Sequence, residues 1–250
     1  MLNEEELRNI NNIESKEYMK PVLNKLNEYY KEINDYTEVF DKLYNIITES
    51  KGDVDLTILE RINRGEIKDK NQASKSIVGN MFQYLLIYVF LKAKEKGVIE
   101  KENIYITSKK TKVPGLDELY TIKVGDDIQK PDCDIVIYKL DNNNQLESCL
   151  ILSLKTSLRE RAGQTYKWKL LMEIAMDNDN KVKKKYELEY NPRIKPYVAF
   201  ATVNFYNEIN NPQQRGMFKF FDKTFIAREI EDHSFISPLS SIVDFLNKDF

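Results

Sequence analysis

Residues 131–161, PDCDIVIYKLDNNNQLESCLILSLKTSLRER, decide the fold. The halves CDIVIYKL and ESCLILSLK are rich in apolar and β-branched residues, and the polar turn DNNNQ separates them. That pattern predicts a β-hairpin, because strands favour such residues and Asn and Asp favour turns. The next segment, RERAGQTYKWKLLMEIAM, predicts a helix that Gly163 interrupts early. After a charged connector, YVAFATVNF is apolar on both faces and is typical of a central strand covered by helices.

The segments that precede this stretch are mainly helical in pattern. Apolar residues spaced by three or four fill the first 70 or so residues, and no glycine occurs before Gly52. Residues 76–97 predict a long buried helix that Gly97 ends, and IYITSK and LYTIKV predict strands after it. The element order indicates an α/β fold with a mixed central sheet flanked by helices over residues 74–250, and a helical N-terminal subregion over residues 1–73.

Composition excludes several classes of protein. With 42% apolar and 31% charged residues the chain is not a disordered protein, and its longest apolar run, residues 84–91, is far shorter than the roughly 20 residues that span a bilayer. No basic segment followed by an apolar stretch opens the sequence, so we expect a cytoplasmic protein. Two cysteines and the single His233 are too few for a zinc site with nitrogen and sulfur ligands or for a histidine triad. Any metal is therefore expected to be a hard cation bound by oxygen.

The charge is nearly balanced overall but clustered locally. Lys and Arg total 38 against 40 for Asp and Glu, which gives a net charge of −2. A local cluster is nevertheless sufficient to bind a polyanion, because the field of a charge decays within about 10 Å at ordinary salt. Three clusters stand out: Lys109, Lys110 and Lys112; Arg159 and Arg161; and Lys181, Lys183, Lys184 and Lys185.

The hairpin also carries acidic and basic side chains in a pattern that suits hydrolysis. Residues two apart share a face of a strand, so Asp132 and Asp134 point the same way, as do Ser153 and Lys155 on the partner strand. A carboxylate at the mouth of a sheet can hold Mg²⁺ through oxygen, and a nearby ammonium can orient water or stabilise charge on a phosphate. The pattern therefore predicts cleavage of a phosphodiester.

These residues resemble the signature of the PD-(D/E)XK nucleases, in which an Asp is followed by an acid or its replacement, one residue and a Lys. The string SLKTSLRER is similar to type II restriction endonucleases that cut sites with CCGG, CCNGG or CCWGG cores. In that group Ser replaces the acid two residues before the lysine, and Arg-acid-Arg follows four residues after it. The resemblance covers about 30 residues closely and about 170 by element order.

The resemblance implies roles for individual residues. It implies that Asp134 or Asp132 binds the metal, that Lys155 positions or activates water beside Ser153, and that Arg159, Glu160 and Arg161 read bases. In the resembling group the missing acid comes from the following helix, about 13 residues past the lysine, where this sequence has Trp168. Two side chains on that helix, Glu173 and Gln164, are candidates for the second metal ligand. Gln83 on the long helix is a candidate for a polar contact at the site.

The resemblance also implies an activity and an assembly. We expect a Mg²⁺-dependent type II restriction endonuclease that cuts double-stranded DNA at a short palindromic site containing G·C pairs. A palindrome matches a two-fold homodimer, and a cognate DNA methyltransferase would protect host DNA. Two alternatives stay open: a less specific repair or junction nuclease of the same fold, and a DNA-binding module that has lost catalysis.

Overall fold

The structure, a computed structural model, describes residues 2–230 and 234–250, without the side chains of residues 70, 71, 159–162 and 164. Its described residues form two compact units: residues 2–102 with 226–230 and 238–250, and residues 103–225 with 234–237. This division does not coincide with the predicted one at residues 73 and 74, because the long helix groups with the N-terminal helices. The predicted extent of the catalytic domain stays a prediction. His233 lies outside the described residues.

The first unit is helical. Asn3 caps its first helix by accepting a hydrogen bond from the Glu6 backbone at 2.9 Å, and Glu6 forms a buried ion pair of 2.7 Å with Lys94 on the long helix. Six helices belong to this unit: α1 (Glu4–Glu14), α2 (Met19–Glu32), α3 (Leu43–Glu49), α4 (Lys51–Asn63), α5 (Lys70–Glu95) and α10 (Ser241–Lys248).

Helix α5 is the predicted long helix, and it begins six residues earlier than the sequence pattern indicates. By length and composition alone it could cross a membrane, a test that core helices of soluble proteins also pass. Phe82, Leu85 and Phe90 are each 0% exposed, so this helix is a core element of the described protein. Gly97 follows it with a φ of 74°, a left-handed conformation that ends helices.

The second unit contains most of a six-stranded sheet with the order β1-β4-β5-β7-β8-β9 and a three-stranded sheet with the order β3-β2-β6. The nine strands of the described chain are β1 (Ile104–Thr107), β2 (Ile122–Val124), β3 (Asp127–Gln129), β4 (Ile135–Leu140), β5 (Leu146–Lys155), β6 (Leu188–Glu189), β7 (Tyr197–Thr202), β8 (Lys223–Ile226) and β9 (Ser237–Pro238). Its helices are α6 (Leu116–Tyr120), α7 (Arg159–Met176), α8 (Lys181–Lys185) and α9 (Pro212–Phe218).

The hairpin prediction is confirmed, and the large sheet is mixed as expected. Strands β4 and β5 pair antiparallel, with Ile135 opposite Leu152, and the register shifts between Lys139 and Leu140 beside the turn. Strand β7, the predicted central strand, pairs parallel to β5 with Thr202 opposite Lys155. The chain is therefore an α/β protein with a mixed central sheet flanked by helices and a helical N-terminal region.

Two local predictions were wrong. The predicted strand LYTIKV begins with the end of α6, because Gly115 takes a φ of 66° and lets Leu116 and Leu119 face the core one helical turn apart. Gly163 does not interrupt α7, which runs unbroken from Arg159 to Met176. A glycine inside a helix costs only about 1 kcal/mol, which packing of the helix offsets.

Candidate active site

The sheet register brings three chemically active side chains together. The start of β4 and the end of β5 lie at the same edge of the sheet because the two strands run antiparallel. The Lys155 ammonium lies 2.7 Å from Asp132 Oδ2 and 3.2 Å from Asp134 Oδ2. We call Asp132, Asp134 and Lys155 the edge cluster. The amine and both carboxylates thus come from one hairpin, as the two-residue periodicity predicts.

The two carboxylates differ in how they are held. Asp134 Oδ2 accepts a hydrogen bond of 2.7 Å from the backbone N–H of Leu154, and the Asp134 N–H donates to the Leu152 carbonyl. Asp132 is the more exposed, with 48% of its side chain accessible against 32% for Asp134. Backbone bonds on both sides fix the orientation of Asp134, whereas Asp132 is more open to solvent.

Ser153 is buried and has a structural contact. It is 1% exposed, and its hydroxyl donates to the Asp132 carbonyl oxygen at 2.9 Å. This bond ties the loop that carries Asp132 to β5. The geometry therefore gives Ser153 a role in positioning Asp132.

The donor set suits a hard divalent cation. Asp132 and Asp134 present carboxylate oxygens at one partly exposed edge, and Mg²⁺ is commonly bound through one or two carboxylates while waters and substrate phosphates complete its shell. Among the described residues no group of three or more His, Cys, Asp or Glu side chains could hold a metal. Asp132 and Asp134 are the carboxylates that the edge cluster would offer to such a cation.

Glu173 lies in a different cluster. Its carboxylate is 3.2 Å from the Lys169 ammonium, which also contacts both Asp222 oxygens at 2.8 Å. Asp222 accepts from the N–H of Val198, whose register partner on β5 is Ile151. Ile151 precedes Lys155 by four residues, or about 13 Å along a strand. The structure does not bring Glu173 together with the edge cluster, because α7 carries it toward the other end of the sheet.

The predicted readout residues open α7, four residues after Lys155. The helix begins at Arg159, while the side chains of Arg159, Glu160 and Arg161, like that of Gln164, lie outside the described part of the chain. Gln83 is half-buried on α5 in the other compact unit.

Sequence reasoning missed Glu208, which holds the start of α7. Its carboxylate accepts a hydrogen bond from the backbone N–H of Leu158, the residue that caps the helix. Nearby, the Phe205 N–H donates to the Thr156 carbonyl at 3.1 Å. The loop after β7 therefore braces the loop after β5. No local pattern signals this contact, because it joins residues 50 positions apart.

Cys133, between the two aspartates, is a buried thiol. Burial raises its pKa to about 12, the Asp134 and Asp132 carboxylates act in the same direction, and the Lys110 ammonium opposes them. The thiolate is the reactive form of cysteine, so this residue is a packed side chain beside the site.

Comparison with known proteins identifies the family of this chain. Residues 101–247 match the family described as BsaWI restriction endonuclease type 2. The chain belongs to the BsaWI family of type II restriction endonucleases. The match includes the hairpin, the whole edge cluster, α7 and β7.

A curated relative agrees with this assignment. The protein named "Putative type II restriction enzyme MjaVIP" of Methanocaldococcus jannaschii is 27% identical over an alignment of 147 residues that covers 56% of this chain. The match spans 62% of the length of that relative. The printed name of this relative is consistent with the family match.

Proposed function

We propose that this protein is a type II restriction endonuclease that hydrolyses phosphodiester bonds of double-stranded DNA with Mg²⁺. The observation that carries the proposal is the edge cluster, in which one hairpin brings two carboxylates and an amine within hydrogen-bond distance. Membership of the BsaWI family supports this activity, and the edge cluster supports a PD-(D/E)XK type of site.

Each member of the edge cluster has a distinct task in this proposal. Asp134, held in place by the Leu154 N–H, is the principal metal ligand, and Asp132 is an additional one. Mg²⁺ held by these carboxylates would neutralise charge at the phosphate and make a nearby water easier to deprotonate. Lys155 donates hydrogen bonds to the attacking water or to a phosphate oxygen. The water oxygen bonds to phosphorus as the water releases a proton to solvent, the bond to the leaving oxygen breaks, and that oxygen takes up a proton from solvent.

The start of α7 supplies base recognition in this proposal. Arg159 and Arg161 donate bidentate hydrogen bonds to guanine O6 and N7 in the major groove, and Glu160 accepts from cytosine N4. Their place four residues after Lys155 supports the idea, because DNA with its scissile phosphate at the edge cluster would lie close to them. A short palindrome with G·C pairs is the expected target.

Cutting a palindrome on both strands calls for two sites related by two-fold symmetry, so the proposed assembly is a homodimer. The proposed cellular setting is the cytoplasm, where a cognate DNA methyltransferase modifies the same site and protects host DNA. The methyltransferase is a functional partner and needs no physical contact with this chain.

A decisive test incubates the purified protein with unmethylated phage DNA and Mg²⁺ and sequences the ends. Lys155→Gln, which keeps the length of the side chain, is compared with wild type, with an EDTA control, and with Lys181→Gln on α8. We expect discrete fragments that share one palindrome, lost with EDTA and with Lys155→Gln but retained with Lys181→Gln. Circular dichroism confirms that both variants fold.

The other outcomes separate the alternatives. A smear of fragments, with near indifference to single base changes, would identify a less specific repair or junction nuclease in which the Arg-Glu-Arg segment contacts phosphates. Base readout predicts a loss of about 1 to 3 kcal/mol for each base change. Intact DNA with several divalent metals would identify a binding module without catalysis.

A further inference from the structure

The lysine clusters at residues 109–112 and 181–185 look equivalent in the sequence but follow different elements: the first follows β1, and the second follows α7. Strand β1 pairs antiparallel with β4, and its last residue Thr107 is opposite Val136. Asp134 lies two residues before Val136, and Lys109 lies two residues after Thr107. Extending the antiparallel register of β1 and β4 by two residues therefore places Lys109 opposite Asp134.

The chain turns at this point and presents its lysines at the same edge. The Lys109 N–H donates to Thr107 Oγ1 at 3.0 Å, and residues Lys110–Lys112 form a short 3₁₀ helix. Lys109 and Lys112 are exposed, and Lys110 is half-buried. We call Lys109, Lys110 and Lys112 the lysine turn.

A second element keeps positive charge close to the edge cluster. The Tyr120 ring lies 5.8 Å from the Lys110 ammonium and 5.2 Å from the Lys130 ammonium, distances at which an aromatic face attracts a cation. Lys130 directly precedes Pro131 and Asp132 in the chain. Its ammonium forms an ion pair of 2.6 Å with Asp117.

Helix α8 lies away from this edge. Helix α7 starts just after Lys155, has 18 residues and therefore spans about 27 Å. Its eleventh residue, Lys169, is already at the level of Ile151, through Asp222 and Val198. Helix α8 begins at Lys181, after the end of α7 that is remote from Lys155.

We propose that the lysine turn binds backbone phosphates of duplex DNA beside the phosphate that is cut, and that the lysines of α8 do not. The inference rests on the proposed function and names a contact surface for its substrate. DNA carries one negative charge per strand about every 3.4 Å along the helix axis, so a duplex with one phosphate at the edge cluster places further phosphates nearby. Three lysines within four residues can bind several of these phosphates. Contacts to phosphates do not distinguish one base from another.

The test measures how DNA affinity depends on salt. Binding of a short fluorescent duplex of arbitrary sequence is followed by anisotropy in EDTA, so that no cleavage occurs, between about 50 and 200 mM NaCl. Two full-length triple variants are compared with wild type: Lys109→Gln/Lys110→Gln/Lys112→Gln, and Lys181→Gln/Lys184→Gln/Lys185→Gln. Both remove three positive charges, so the net charge of the protein is matched.

We expect the slope of log affinity against log salt to become less negative by about 2 to 3 in the lysine-turn variant, at roughly 0.9 per lost phosphate contact. The α8 variant should change it by less than about 1. A third variant, Lys109→Arg/Lys110→Arg/Lys112→Arg, should have the wild-type slope, because Arg keeps the positive charge. That result separates loss of charge from loss of folding.

Several results would overturn the inference. Equal slopes for wild type and the lysine-turn variant would do so, and so would equal reductions in both Gln variants, which would indicate attraction by overall charge. The proposed function fails separately: wild-type protein that cleaves no DNA with Mg²⁺, but shows the selective loss of slope, is a binding module that uses this surface. Wild-type protein that binds no duplex at low salt refutes both.

Discussion

Asp134 and Asp132 both contact Lys155, but only Asp134 also accepts a hydrogen bond from the β5 backbone in the described contacts. A ligand whose orientation is fixed before the metal binds loses little freedom on binding. We therefore propose that Asp134 is the principal metal ligand of the two, a choice that the sequence pattern leaves open.

We predict that Asp134→Asn lowers the single-turnover rate of DNA cleavage by more than about 100-fold, since a metal ligand contributes several kcal/mol. Asp132→Asn should cost about 10- to 100-fold. Asn can still accept from the Leu154 N–H, so neither change should unfold the protein. Rates at saturating protein and several Mg²⁺ concentrations measure the ranking, and the reverse order would assign Asp132 as the principal ligand.

The cysteines permit a separate prediction. With the pKa of Cys133 raised to about 12 by burial, about one thiol in 10⁴ is ionised at pH 8. Burial raises the pKa of Cys149 as well. We expect iodoacetamide at pH 8 to leave the folded protein unmodified by mass spectrometry, and to label both thiols in urea. Rapid labelling of the folded protein would contradict this description.

Helix α7 begins with the proposed readout residues, shortly after Lys155 of the edge cluster. Glu208 holds the N-terminus of this helix in place. A carboxylate there satisfies a backbone N–H and is favoured by the helix dipole. The start of the helix is thus tied to the loop that follows β7.

Replacing Glu208 with Ala should lower the free energy of unfolding by about 1 kcal/mol, a typical cost of losing a helix cap. It should also reduce the preference for the recognised site over a site with one changed base, by about fivefold, because the readout residues follow directly. Urea unfolding and paired cleavage rates measure both effects. Glu118→Ala, at an exposed position on α6, serves as the control, and equal behaviour of the two variants would remove Glu208 from this role.

Local sequence patterns predicted most of the helices and strands, whereas tertiary packing determined which side chains come together. The hairpin and α5 were predictable because each depends on neighbouring residues in the sequence: alternation, a polar turn, a terminal glycine. Glu173 was a candidate ligand because, in the resembling group, the following helix supplies the missing acid, but where a helical residue lies depends on the direction in which the helix packs. Glu208 could not be predicted, since no sequence signal joins it to Leu158.

For the whole protein, the proposed homodimer places one edge cluster on each strand of DNA. A two-strand cut then requires both clusters, while a single cluster can only nick.

We predict that a dimer of one wild-type and one Lys155→Gln subunit, purified through two different tags, converts supercoiled plasmid to the nicked circle. Linear DNA should form at less than about a tenth of the wild-type rate. Gel analysis of the plasmid over time measures this, with the doubly tagged wild-type dimer as the control. Linear product at the full rate would show that the two strands are not cut by separate subunits.

The register shift between Lys139 and Leu140 lies between the hairpin turn and the edge cluster. Residues 142–144 of that turn are exposed, and the six residues of β4, which span about 20 Å, separate them from Asp134. With both natural thiols buried, Asn143→Cys would give one accessible attachment point for a dye, through which single molecules could be followed along DNA.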